Sequence, residues 1–349
     1  MTRSDLIPNV AEGARATTRA RNLSREEPTM KYFVIAGAAA LLLAGTAAQA
    51  QTLRLGHNIS TTSPYHLAAE HFAGLVAERT NGRITVQVFP AGALGNERDM
   101  IEGAQIGSVD LMVTSSAAVG PFVPAMRILD IPFLFRDLEH ARAVLDSEIG
   151  EELLAAMPER GLIGMAWGDI GFRHMTANRP LDTVPALAGV RLRSQDNPIH
   201  LAAYRALGFQ PTVVGFNELY AALQTGVVEA NEQPLSIHVA SRFYEVQSDL
   251  TLTGHLMASA LFAASQDTWN RLSAEDQEIL MQAARESIPV MRAATDAQDG
   301  AALDTLRERG MTITETFDHG GFMDALAPAF AQFGQELGAE NIARIANFE

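Results

Sequence analysis

Two arginines twenty residues apart, Arg173 and Arg193, carry the clearest chemical signal in the sequence, in the segments GFRHMTANRP and LAGVRLRSQDNP. An arginine beside a strand is a planar, permanently charged fork that matches a carboxylate. Arg193 ends an apolar strand pattern, just before a loop and a helix. In parallel α/β sheets, ligands bind outside such carboxyl ends. The same alternation sends Arg191 to another face. Arg173 follows Gly171-Phe172, and its plainer reading is an ordinary ion pair. Phe216, at the next strand–helix junction, fits either the same mouth or the core. In Glu232-Gln233-Pro234, read as the end of another strand, Gln233 could donate or accept beside the arginine. Gly92-Ala-Leu-Gly95 opens a helix at Asn96–Glu97, whose amides could face a ligand or simply form a turn. These residues predict a cleft that captures a small organic anion and does not transform it.

The rest of the sequence excludes most reaction chemistry. There is no Gly-x-Ser-x-Gly elbow, Walker loop or dinucleotide fingerprint. His66 and His71 are five residues apart, so their rings diverge; zinc helices use i, i+4. The 349 residues include no cysteine, which removes disulfides, thiolate nucleophiles and Cys-type metal sites. The only lysine is Lys31. A net charge of −15 argues against a nucleic-acid partner and means that any anion site must be made locally. No cofactor or metal is implied. A rival reading, an exported α/β hydrolase or lyase, needs a base, and His174 or His255 is the first candidate.

Lys31 also marks a leader. Met30-Lys31-Tyr32 is followed by an apolar run through Leu41-Leu42-Leu43 and by Ala48-Gln49-Ala50. That is the layout of a secretory signal peptide over residues 30–50, cleaved after Ala50, and the run is short for a membrane anchor. Residues 1–29, polar and without pattern, read as an upstream extension, with Met30 the true start. Export to the periplasm follows.

The elements that must hold the site alternate strand and helix. Thr52–Gly56, Arg83–Phe89 and Val109–Thr114 read as strands, with helices over Tyr65–Arg79 and Asn96–Ile106 between them. A helix over Leu138–Met157 precedes a strand over Gly161–Trp167. The rhythm then restarts, with strands at Val190–Arg193, Pro211–Val214 and Val227–Ala230 and helices at Asn197–Ala206, after Asn217, and over Ser236–Phe243. This predicts a largely parallel sheet covered by helices. From a Ser273–Asp276 capping box to Arg309 the text is helical, with a kink or break expected at Pro289. A helix that long spans two α/β domains, and a cleft between domains is a common ligand site.

At these residues the chain resembles the solute-binding proteins of tripartite ATP-independent periplasmic (TRAP) transporters, the dicarboxylate-binding DctP family. The likeness runs from Thr52 to about Gly310. It rests on Leu55-Gly-His-Asn58, Thr80-Asn-Gly-Arg-Ile84, Leu94-Gly-Asn-Glu97, Gly171-Phe-Arg173, Leu187-Ala-Gly-Val-Arg-Leu-Arg193, Phe216 through Gly226, Glu232-Gln-Pro234 and Phe243-Tyr-Glu-Val-Gln247.

The resemblance implies a type II-like periplasmic binding protein, monomeric, with an interdomain cleft and a long domain-spanning helix towards the C-terminus. By analogy, domain I holds 51–170 and 259–298, and domain II holds 171–258 and 299–349. The arginine matching Arg193 pairs bidentately with a carboxylate. Arg173 matches a second ligand arginine, Phe216 an aromatic wall, and Gln233 a side chain beside the carboxylate. Asn58 and Glu97 match the domain I face. The implied partner is a sodium-driven membrane permease.

Three departures bear on the substrate. Ser194-Gln195-Asp196 follows Arg193 where the family usually runs Arg-x-Pro. Gln233 stands where Asn is common. Ser115 stands where sialate-binding relatives carry Glu, which disfavours sialate. A C4-dicarboxylate or a sugar acid stays open, as does a sensory protein that presents its closed form to a receptor kinase.

Overall fold

The computed structural model describes residues 51–349. The expected leader at 30–50 and the extension at 1–29 lie outside the described residues.

Strand β1 (Gln51–Gly56), helix α1 (Pro64–Arg79) and strand β2 (Ile84–Phe89) open the fold. Helix α2 (Glu97–Gln105), strand β3 (Leu111–Ser115) and the single turn α3 (Ser116–Val119) follow. A 3-10 segment, Pro124–Asp130, leads to α4 (Leu138–Leu145), α5 (Glu148–Ala155) and the long β4 (Leu162–Ala177). Next come α6 (Val184–Leu187), β5 (Arg191–Ser194), α7 (Pro198–Ala206), β6 (Gln210–Val213), α8 (Phe216–Gln224), β7 (Asn231–Pro234) and α9 (Leu235–Ala240). The long β8 (Asp249–Ser265), α10 (Gln266–Arg271), α11 (Ala274–Glu308), β9 (Thr312–Thr314), α12 (His319–Leu337) and α13 (Ala339–Ala346) complete it.

The main sheet runs β2-β1-β3-β8-β4-β7, with β9 added to β8; β5 and β6 pair separately. β1 pairs in parallel with β2 and β3, as the opening rhythm predicts. The expectation of a largely parallel sheet fails at the centre, where β8 runs antiparallel to β3 and β4, and β4 antiparallel to β7. The expected strand at Gly161–Trp167 is only the first part of β4, which continues through Arg173 to Ala177. Its register against β8 shifts between Gly164 and Ala166, Asp169 and Phe172, and Arg173 and Met175. Those irregularities broke the period-2 pattern that would have revealed a continuous strand. Gly171, at φ +88°, sits in the second shift, a backbone position that favours glycine.

Side chains alternate across β3 as the pleat requires. Met112 enters one hydrophobic cluster with Trp167, Tyr204 and Phe322, while Leu111 and Val113 enter another with Phe72, Phe262 and Leu280. The sheet is therefore covered on both faces.

Three helix expectations change. Leu138–Met157 is two helices, because Ser147 caps the second by accepting from Ile149 N at 3.1 Å. Gly150 packs so closely on Leu145 that a β-carbon there would lie 2.0 Å from its carbonyl oxygen. Helix α8 starts at Phe216, with Gly215 rather than Asn217 as its N-cap. Helix α11 runs unbroken for 35 residues through Pro289. Packing on both sides of the proline holds it: Leu280, Ala283 and Ala284 are buried before it, and Thr295 Oγ1 donates to Asp169 O at 2.9 Å after it. Tertiary contacts here override a local breaker. Among the described residues no helix is long and apolar enough to cross a membrane.

Candidate ligand-binding site

Strand β5 is four residues long and its alternation sorts the two nearby arginines. Arg191 is exposed and pairs with Glu229 at 3.3 Å, whereas Leu192 and Arg193 are buried. The backbone fixes Arg193 from two sides, since its N–H donates to Ala230 O at 2.8 Å and its Nε to Val214 O at 2.9 Å. Its guanidinium faces a cavity of about 330 Å³, whose walls include Asn58, Glu97, Arg98, Gln195 and Phe216. Among the described residues, no carboxylate pairs with Arg193, although it is only 3 % exposed. Burial lowers its pKa to about 10, with Glu232 opposing the drop and Arg173 adding to it; the group stays charged at neutral pH.

The opposite wall is built on the turn before α2. Gly92 and Gly95 take left-handed φ of +72° and +102°, and Asn96 caps the helix reciprocally with Asp99. That cap aims Glu97 inward. Its Oε1 accepts from Ser115 N at 2.7 Å and from Thr114 Oγ1 at 3.0 Å, and its Oε2 from Gln195 Nε2 at 3.2 Å. Gln195 Nε2 also donates to Ser115 Oγ at 3.2 Å. Phe216 lines the cavity with its ring edge-on to Phe243, 6.3 Å between centroids. A second bridge crosses the cavity mouth, from Arg98 Nη1 to Asp196 at 2.6 Å. Arg98 also pairs with Glu102 and lies 5.5 Å over the Phe122 ring.

Four of the seven expected site residues, Asn58, Glu97, Arg193 and Phe216, line this cavity; Ser115, Arg173 and Gln233 do not. Ser115 is one layer back, holding Glu97 and Gln195. Arg173 is fully engaged elsewhere: its Nε meets Glu232 Oε2, and its Nη2 donates to Glu232 Oε1 and to the Glu232 carbonyl, each at 2.9 Å. Burial opposes the Arg173 charge, but the touching carboxylate more than offsets this and raises its pKa above the ordinary arginine value. Glu232 responds in kind: burial pushes it up, and Arg173 brings it below the usual carboxylate range.

Glu232 was missed because its partner Arg173 lies 59 residues away in the sequence. The sequence suggested a strand at Val227–Ala230, but β7 starts at Asn231, so Glu232 and Gln233 sit inside it and point to opposite faces. Glu232 meets Arg173. Gln233 pairs across the strands with His174 and is 4 % exposed. Arg98 and Asp196 were missed because their contact spans 98 residues; only the Arg98–Glu102 spacing was local. Gln195 was visible only as an oddity after Arg193.

The candidate bases of the enzymatic rival are poorly placed. Burial first, then His255 and His238, lowers His174 to about 3, and burial lowers His255 to about 3 as well. Neither lines the cavity. No cluster of metal ligands occurs among the described residues.

The profile of the DctP family, bacterial extracellular solute-binding protein family 7, matches residues 55–336. The chain belongs to this family. A solute-binding protein of Verminephrobacter eiseniae is 42 % identical over 303 residues, covering 86 % of this chain and 90 % of the relative. The 2,3-diketo-L-gulonate-binding periplasmic protein YiaO of Escherichia coli is 34 % identical over 294 residues, covering 82 % and 90 %. The crystal structure of a TRAP periplasmic solute-binding protein from a Polaromonas species, bound to D-erythronate, matches with a TM-score of 0.83 at 41 % identity, covering 85 % of this chain and 98 % of that one. This member of the family is thus a TRAP-type solute-binding protein and not an enzyme, with the family's mixed α/β fold and long late helix. The family is periplasmic.

Proposed function

We propose that this protein captures one small organic carboxylate, a C4-dicarboxylate or a sugar acid, and delivers it to the membrane subunits of a TRAP transporter. The observation that carries the reading is Arg193, a buried guanidinium that faces the cavity without a protein carboxylate. Burying an ion costs several kcal/mol unless it is paired. A bidentate carboxylate ligand supplies that partner. Glu97, Asn58 and Phe216 form the surrounding walls. The relatives that bind D-erythronate and 2,3-diketo-L-gulonate support the sugar-acid side of the choice.

Capture works by closure of domain I (51–170 and 259–298) on domain II (171–258 and 299–349). The register shift at Gly171, where β4 would pass between them, supports that boundary. So do the contacts Arg98–Asp196 and Glu97–Gln195, each of which joins one domain to the other. Export by a leader cleaved after Ala50, and function as a monomer, complete the reading.

A thermal-shift screen of carboxylates tests it. A true ligand at a hundredfold excess over its Kd stabilises the protein by about 2.7 kcal/mol. Flat melting curves across C4-dicarboxylates, aldonates and uronates, with folded protein, overturn the proposal.

A further inference from the structure

Four residues after Arg193 stands Asn197, fully buried and hydrogen-bonded through both ends of its amide. Its Oδ1 accepts from Ile199 N at 2.9 Å and from His200 N at 3.2 Å, which caps α7. That fixes which end of the amide is the nitrogen. Nδ2 carries two N–H groups, and they go to Ala117 O at 2.9 Å and to Asp130 Oδ2 at 2.8 Å. Those partners lie 80 and 67 residues away in the sequence. The backbone leaves room for the amide too: a β-carbon on Gly120 would lie 3.3 Å from Nδ2.

In the proposed division, Ala117 and Asp130 belong to domain I, and Arg193, Asn197 and α7 to domain II. Consecutive residues of the β5–α7 connection then bridge the domains, and their burial is graded. Asp196 meets Arg98 in an exposed pair at the mouth. Gln195 meets Glu97 and Ser115 in partly buried contacts. Asn197 and Asp130 are buried outright, at 0 % and 1 % exposed. Val119 of α3 and Leu129 of the 3-10 segment share one hydrophobic cluster with Ile199 and Tyr204 of α7. Separating these elements would expose that cluster to water, whereas the Arg98–Asp196 pair can part at little cost.

We infer that Asn197 is a positioning residue: it pins the end of strand β5 to domain I and so sets where the Arg193 guanidinium stands relative to the Glu97 wall. This rests on the reading of Arg193 as the carboxylate anchor and on the division into two domains. Asn197 does not line the cavity, so it acts only through Arg193. One side chain does two jobs. Its oxygen starts the helix that follows Arg193, and its nitrogen ties that start to the facing domain. Without the tie the end of β5 has other placements, and the apparent affinity falls with the fraction of molecules in the competent one.

Substitutions can separate this role from helix capping. Asn197→Ser keeps a good N-cap but is too short to reach Ala117 O and Asp130. Asn197→Ala loses both cap and tie, and Asp130→Ala cuts the tie at its other end and leaves the cap whole. Each would be melted without ligand, then titrated calorimetrically with whichever of succinate, D-erythronate and D-galacturonate binds the native protein most tightly. All three variants should bind that acid about tenfold more weakly, as for a competent fraction reduced to about a tenth. Melting should sort differently, with Asn197→Ala below Asn197→Ser, because only the former loses the cap. Asn197→Ser combined with Asp130→Ala should bind no more weakly than the weaker single variant, since both cut one tie. Native affinity in Asn197→Ser reduces Asn197 to a cap, which overturns the inference and leaves the anchor reading intact. Additive losses in the double variant do the same. Should Asn197→Ser fail to fold, Asp130→Ala decides in its place. A native protein that binds none of the three acids overturns the anchor reading and the inference together.

Discussion

Arg193 and Arg173 both sit on strands and are almost equally buried, at 3 % and 5 % exposed, yet their surroundings are opposite. Arg173 is locked to Glu232 by side chain and backbone together. Arg193 touches only a carbonyl and opens on the cavity. Burial alone therefore does not separate a ligand anchor from a structural ion pair; the counter-ion does. A paired buried arginine is internally complete and costly to break. An unpaired one is held ready by its backbone, and the missing half of the interaction comes from solution.

Removing each arginine should give opposite results. Arg173→Ala leaves Glu232 buried without its partner, so stability should fall by about 3–5 kcal/mol in denaturant titration. Arg193→Ala removes an uncompensated charge. Its stability without ligand should stay at or above that of the native protein, while affinity drops roughly 100-fold or more by calorimetry. Equal destabilisation by both substitutions would erase the contrast.

Asp130 sharpens the same distinction for a carboxyl. It is buried and accepts from Asn197 Nδ2 at 2.8 Å and Ser116 Oγ at 3.2 Å, with His200 Nε2 3.8 Å away. Burial raises its pKa from 3.8 to about 7 in spite of those donors. The folded state then holds a proton that the unfolded state has released between about pH 4 and 7, so stability should fall as pH rises through that window. Asp130→Asn should remove that slope, a difference on the order of 4 kcal/mol between the two unfolding profiles at pH 8. The smallest effect belongs to the exposed bridge at the mouth. Arg98→Ala should change unfolding stability by less than about 1 kcal/mol, because solvent screens both partners.

The sequence carried the local parts of this arrangement. Arg193 at a strand end, the helix opening at Asn96–Glu97, the cap at Ser273 and the opening βαβ unit each depend on a few neighbouring residues. What it hid depends on distant ones. Glu232 reaches Arg173 across 59 residues, a separation that no local pattern reveals. The β4–β8 pair at the centre was hidden by glycines and register shifts that break the alternation. Gln195 could be seen to differ from the family, but its bonds to Glu97 and Ser115 span 98 and 80 residues. Pro289 misled in the other direction: a strong local signal lost to packing on both sides of it.

The most direct test of the account compares an acid with its own uncharged amide. The best ligand from the thermal-shift screen and its primary carboxamide would each be titrated into the native protein and into Arg193→Ala. The native protein should prefer the acid by roughly 100-fold or more, the order expected for a desolvated charge-assisted pair, and Arg193→Ala should bind the two alike and weakly. An Arg193→Ala protein that keeps the native affinity for the acid, or a native protein that binds the amide equally well, would contradict the assignment of Arg193 as the carboxylate anchor.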